Sequence, residues 1–229
     1  MVSGESQFLV EPGVTHQEAL SNDYCNERIF QRNRLPPRSY WIPDTSLLLN
    51  GDWSFNYAPT PLHAPDPAPY STILSGGRKT TLTGRGSDDQ LPEVAWTSIT
   101  VPGHWQLQGH GRPHYTNIAY PFPVYPPAVP SENPTGTYRR EFHVPPSWDK
   151  SSQIRLRFDG VDSAFHVWFN GIFVGYSQGS RNPAEFDITD LVRGGDANCL
   201  LVRVYQWSDG SYIEDQDQWW LSGTPMAIP

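Results

Sequence analysis

The chain has 229 residues, enough for one substantial domain with a core that needs no covalent staples. Its formal net charge is −8 and its charged fraction 17%, which exclude a basic nucleic-acid footprint, a polybasic membrane surface and a charged disordered tail. No apolar run approaches the roughly 20 residues of a membrane-spanning helix. Two cysteines, Cys25 and Cys199, cannot build a disulfide framework. Met1 to Val10 shows no basic stretch followed by an apolar one, so the expected location is the reducing cytoplasm. With 23 Pro, 19 Gly and nine Trp, the composition opposes a mainly helical chain. It points instead to a β-fold with a heavy aromatic core or a surface that stacks on flat ligands.

Residues 1–45 carry no sustained period, and Gln31 to Arg38 is basic with Pro36-Pro37 enforcing extended backbone. This part is expected to be an arm lying on a domain that occupies residues 46–229. Asn50-Gly51 is a turn signal, and Trp53 and Phe55 alternate after it as in a strand. Residues 58–90 are rich in Pro, Gly, Ser and Thr, and read as a mobile excursion within the domain. From Trp96 onward short strands alternate with turns. Ile154, Leu156 and Phe158 share one face against Arg155 and Arg157, the pattern of a half-buried strand. Ala164 to Phe169, Asn170-Gly171 and Ile172 to Ser177 read as a hairpin with a type I′ turn. Asp187 to Val192 fits one helical or irregular turn, and Leu200 to Trp207 a central strand. The fold class is therefore all-β, an antiparallel sandwich.

Three patterns carry chemistry in principle. Gly175-Tyr176-Ser177-Gln178-Gly179 matches G-x-S-x-G, but a nucleophile elbow needs a helix after the strand, and Asn182-Pro183 follows here. A strand with small residues is the better reading. His104, His110 and His114 have the ligand type for zinc. Their spacings lack a helix or knuckle to fix the geometry, so loop polarity is preferred. The segment from Trp207 to Trp220 holds Asp209, Glu214, Asp215 and Asp217 beside four aromatics. That mixture suits a sugar, whose hydroxyls donate to carboxylates and whose C–H face stacks on indole. It also suits a solvated acidic turn over core tryptophans. Asn117, in an aromatic and Pro-rich loop region, offers a donor and an acceptor on one amide, as a vicinal diol requires, or else caps loop backbone.

Taken in order, Val101-Pro102-Gly103-His104-Trp105-Gln106, Tyr115-Thr116-Asn117, Glu132-Asn133-Pro134-Thr135-Gly136, Phe158-Asp159-Gly160-Val161, Asn170-Gly171, Val174-Gly175-Tyr176, Trp207-Ser208-Asp209-Gly210-Ser211-Tyr212 and Glu214-Asp215-Gln216-Asp217 resemble the N-terminal sugar-binding domain of glycoside hydrolase family 2 β-galactosidases. The resemblance covers about residues 28–223. It implies a jelly-roll sandwich, of the galactose-binding-domain kind, and an enzyme that releases terminal β-D-galactose from β-galactosides such as lactose with retention. It also implies that the catalytic glutamates and magnesium ligands belong to a following barrel, so that this chain alone is inactive. Asn117 and Asp217 match the family's substrate-contacting residues, and Asp217 also its sodium ligand. The implied partners are galactose or lactose-type sugars and a barrel-bearing segment or subunit. A free lectin-like module is the alternative. After Trp220-Leu221-Ser222-Gly223 the sequence departs from the family pattern, closing with Thr224-Pro225-Met226-Ala227-Ile228-Pro229. The reading is of a truncated family member.

Overall fold

The structure, a computed structural model, describes residues 22–39, 41–67, 95–115, 120–149, 151–214 and 221–222. Eleven strands are present among them. They are β1 (Gln31–Arg32), β2 (Gly51–Ala58), β3 (Thr97–Val101), β4 (His114–Tyr115), β5 (Thr135–His143), β6 (Arg155–Phe158), β7 (Ala164–Phe169), β8 (Ile172–Gln178), β9 (Ala184–Asp187), β10 (Ala197–Tyr205) and β11 (Leu221–Ser222). Among the described residues helix is confined to single turns, of which α1 (Ser211–Glu214) matters below. Every ladder among the described residues is antiparallel, and the main sheet runs β1-β8-β7-β10-β5-β2-β3. The pairs β6–β9 and β4–β11 stand apart from it. This is an all-β jelly-roll sandwich.

Alternation dictates which face each residue serves. Trp53 and Phe55 on β2, Tyr138 on β5, Phe165, Val167 and Phe169 on β7, and Leu200, Val202 and Val204 on β10 fill one face. Leu156 and Phe158 of β6 and Ala184 and Phe186 of β9 close that core from the second layer. Strand β10 sits in the middle of the sheet, which is why it is largely apolar on both faces, with Asn198 and Arg203 the charged or amide side chains in it. The β7–β8 hairpin turns at Asn170 and Gly171 with φ of 52° and 80°, as its Asn-Gly sequence requires. The turn within 187–192 is a single 3₁₀ turn, Thr189–Leu191.

The opposite face of the sheet is polar yet buried. His166, Thr137, Tyr205 and Arg203 lie there under cover. Residues 22–39 supply much of that cover. They add β1 to the edge of the sheet, with Gln31 opposite Ser177 and Arg32 opposite Tyr176. The Leu35 N–H donates to the Glu185 carbonyl at 2.8 Å. Part of the stretch expected to be a mobile excursion is also packed down. Pro61–His63 makes one 3₁₀ turn, and the Pro65 carbonyl accepts a hydrogen bond from Arg203. A buried guanidinium needs such an acceptor, and a proline-rich segment offers carbonyls without competing N–H groups. Residues 68–90 of the expected excursion lie outside the described residues.

Candidate functional site

The end of β10 leads into the acidic, aromatic segment, and its course is fixed by the backbone. Asn133 clamps Trp207 from both sides: its Nδ2 donates to the Trp207 carbonyl at 2.8 Å and its Oδ1 accepts from the Trp207 N–H at 2.9 Å. Ser163, Ser208 and Ser211 then form a small buried hydroxyl cluster, with Ser211 Oγ 3.2 Å from Ser163 Oγ and accepting from the Ser208 N–H at 3.1 Å. Helix α1 follows from that anchor. Tyr212 leaves α1 toward the 120–128 loop, where it stacks on Tyr120 at 5.5 Å and meets Phe122 edge-on. Its hydroxyl donates to the Ala128 carbonyl and accepts from the Tyr125 N–H. The aromatic-rich loop and the acidic segment are therefore one packed unit.

Two of the four carboxylates are engaged inside that unit. Glu214 accepts from the Ser180 N–H and Oγ, both at 2.8 Å. Ser180 Oγ also lies 2.9 Å from Asp162, which pairs with Arg181 at 2.9 Å. Asp209 accepts from Gln178 Nε2. Burial pushes the carboxyls of Glu214 and Asp209 up; hydrogen bonds from Ser180 and Gln178 oppose the rise without cancelling it. The sequence offers Asp209 and Glu214 as sugar acceptors, but the structure uses them as internal braces. Ser180, Asp162 and Gln178 are the residues that sequence reasoning missed. Their partners are 18 to 34 residues away, so no local pattern marks them.

Asn117 and Asp217 lie outside the described residues, as do Asp215, Trp219 and Trp220. What is described is the ladder beside them: β4 pairs with β11, Tyr115 opposite Leu221 and His114 opposite Ser222.

Of the other two patterns, the G-x-S-x-G run ends strand β8. Ser177 is buried, accepts from Arg34 at 2.9 Å and donates to the Gln178 carbonyl, and a turn follows it, as the strand reading expects. His110 packs on the rings of Phe55 and Tyr57, and burial lowers the pKa of His104. The side chain of His114 is outside the described residues; among those described, no three His, Cys, Asp or Glu side chains gather as a metal site. A cavity of about 800 Å³ lies between residues 38–49 and the β6–β9 pair. Its lining is mostly apolar, and among its polar residues Arg155 donates to Gln153 and Glu185. It shares no residue with the segment just described. No helix among the described residues is long and apolar enough to cross a membrane.

The family model for the sugar binding domain of glycosyl hydrolases family 2 matches residues 47–227. The chain belongs to that family. Its family 2 relatives include a beta-galactosidase of Arthrobacter sp. (strain B7), 47% identical over 196 residues, covering 83% of this chain and 19% of the relative. Another is a beta-galactosidase of Yersinia enterocolitica, 44% identical over 234 residues, covering 95% of this chain and 20% of the relative. The chain thus spans about a fifth of the length of the curated relatives it matches. Among solved structures, a Ruminococcus gnavus beta-glucuronidase is similar at 19% identity and a TM-score of 0.48, over 73% of this chain and 23% of that one.

Proposed function

We propose that this chain is the galactose-binding wall of a β-galactosidase that acts on β-galactosides such as lactose. Asn117 and Asp217 are its sugar contacts. The observation that carries the reading is the pairing of Tyr115 with Leu221. In an antiparallel ladder, the chain after one strand and the chain before its partner depart from the same end. Asn117 follows Tyr115 by two residues and Asp217 precedes Leu221 by four, so covalent reach alone keeps both within about 14 Å of the ladder. The clamped Trp207 and the braced α1 give the approach to Asp217 a fixed base. The beta-galactosidase relatives supply the substrate class.

In this reading Asn117 Nδ2 donates to, and its Oδ1 accepts from, adjacent hydroxyls, while the Asp217 carboxylate only accepts. A carboxylate also suits a sodium ion, which takes oxygen donors, and Asp217 is the residue of this chain proposed to hold one. The bond-breaking carboxyl pair belongs to a barrel-bearing partner segment. The test is titration of the chain with D-galactose and D-glucose by NMR, beside an assay with a chromogenic β-galactoside. Galactose is expected to bind with a Kd on the order of millimolar, glucose more weakly, and Asn117→Ala or Asp217→Ala to abolish the response. No turnover by the chain alone is expected. Absence of any galactose response at concentrations on the order of 0.1 M overturns the reading. So does turnover by the chain alone.

A further inference from the structure

The contacts of the N-terminal arm end on the turn that leads to the sugar segment. Asp23 is 1% exposed, and its carboxylate takes a bidentate pair from Arg32 at 2.6 and 2.9 Å. His166 Nε2 lies 3.1 Å from the same carboxylate, and its Nδ1 2.9 Å from the Tyr205 hydroxyl. An ionised carboxylate only accepts, so Nε2 carries the imidazole proton and Nδ1 accepts from Tyr205. The next residue, Tyr24, stacks on Tyr205 with ring centroids 4.5 Å apart. Its carbonyl accepts the Asp209 N–H at 2.8 Å. Gln178 joins the same two parts a second time. Its N–H donates to the Phe30 carbonyl at 3.1 Å, and its side chain donates to Asp209.

The arm therefore holds Asp209 by its backbone and, through Gln178, by its carboxylate. Asp209 opens the turn into α1, with the Tyr212 N–H reaching back to the Asp209 carbonyl. We propose that the arm is a latch: with Asp23 seated against Arg32 and His166, it positions the 209–214 turn and so sets the sugar affinity of the segment beyond it. Asp23, Arg32 and Tyr24 are positioning residues, remote from the sugar. The affinity part rests on the galactose reading above; the mechanical part does not.

The experiment pairs amide hydrogen exchange with galactose titration on the whole chain and its Asp23→Asn variant. Losing the charge leaves Arg32 and His166 facing a neutral amide in a buried site, which unseats the arm. The amides of Arg32, Gln178 and Asp209 are expected to exchange faster together, by about tenfold or more, while those of β10 keep their protection. The galactose Kd is expected to rise by about tenfold. If Asp23→Asn does not fold, Arg32→Gln carries the same test, because the Arg32 side chain is 23% exposed and its removal leaves the Asp23–His166 contact intact. An Asp209 amide that stays protected while the arm amides open overturns the latch. So does joint opening with galactose affinity unmoved. A parent chain that binds no galactose defeats the sugar reading, and the Asp209 amide still decides whether arm and turn are coupled.

Discussion

Glu185 shows how one buried carboxylate ties three elements together. Arg38 reaches it from the arm at 2.7 and 2.8 Å, Arg157 at 2.9 Å and Arg155 at 3.1 Å from β6. Burial alone would raise its pKa, but the hydrogen bonds from Arg38, Arg157 and Arg155 outweigh it and bring the pKa down to about 2. Glu185→Gln keeps the shape and loses the charge. It is expected to cost about 2–3 kcal/mol at neutral pH, below the range for a fully buried pair because Arg38 and Arg155 are each about a third exposed. Chemical denaturation of both proteins checks it, and equal stabilities would refute the role. Gly136 makes the opposite kind of point. A Cβ there would sit 2.3 Å from the Trp105 ring and 2.7 Å from that of Phe55. Both rings are core members and cannot yield, so Gly136→Ala is expected to destabilise by about 1–3 kcal/mol. A thermal melt unchanged from the parent would contradict this.

The β7–β8 hairpin explains why some elements are legible in sequence and others are not. Asn170-Gly171 announces the turn, because only Asn, Asp and Gly accept positive φ readily. The sequence does not reveal that Asn170 also has a tertiary task. Its Nδ2 donates to the Leu191 carbonyl at 2.8 Å and to Asn198 Oδ1 at 2.9 Å, and its Oδ1 accepts the Cys199 N–H at 2.9 Å. Asn170→Gly, favourable for the backbone, is therefore expected to cost about 2–3 kcal/mol through buried groups left unpaired. Gly171→Ala should cost only about 1 kcal/mol of left-handed strain. The reverse ranking in denaturant would mean that turn conformation, not the side chain, dominates. The same division runs through the fold. Period-2 alternation marks β2 and β6, and a run apolar on both faces marks central β10, because those signals are local. The arm carries no period, since it is held by Asp23, Arg32 and Arg38 acting on partners 9 to 147 residues away. The hint that was available is His166, a polar side chain on the buried face of an otherwise apolar strand, which demands a partner. At the site, Asn117 and Asp217 come from resemblance, and the braces at Ser180 and Gln178 from geometry alone.

Across the whole molecule, the carboxylates that hold the arm and those in the 209–214 turn respond to acid with opposite sign. Asp23 and Glu185 both have folded pKa values below their ordinary ones. Burial opposes this, but His166 and Arg32 for the first, and the three arginines for the second, overcome it. Their stabilisation is complete above the unfolded carboxyl pKa of about 4 and fades as pH falls through the folded values. Asp209 and Glu214 are raised by burial, so protonation is easier in the folded state. They gain stability on acidification, beginning as pH falls through their raised folded values. His166 is lowered by burial, despite Asp23, and does not supply a compensating cation near neutrality. Acidification below about pH 4 should therefore loosen the arm while the sandwich core remains folded. Stepwise amide exchange from pH 6 to pH 3, corrected for the intrinsic rate, is expected to show Arg32 and Leu35 losing protection before β10. The corrected protection of Ser180, whose N–H is held by Glu214, should fall with theirs only if the latch also governs that brace. Loss of β10 protection at the same pH as the arm would mean that arm and sandwich unfold as one unit, with no separable acid step.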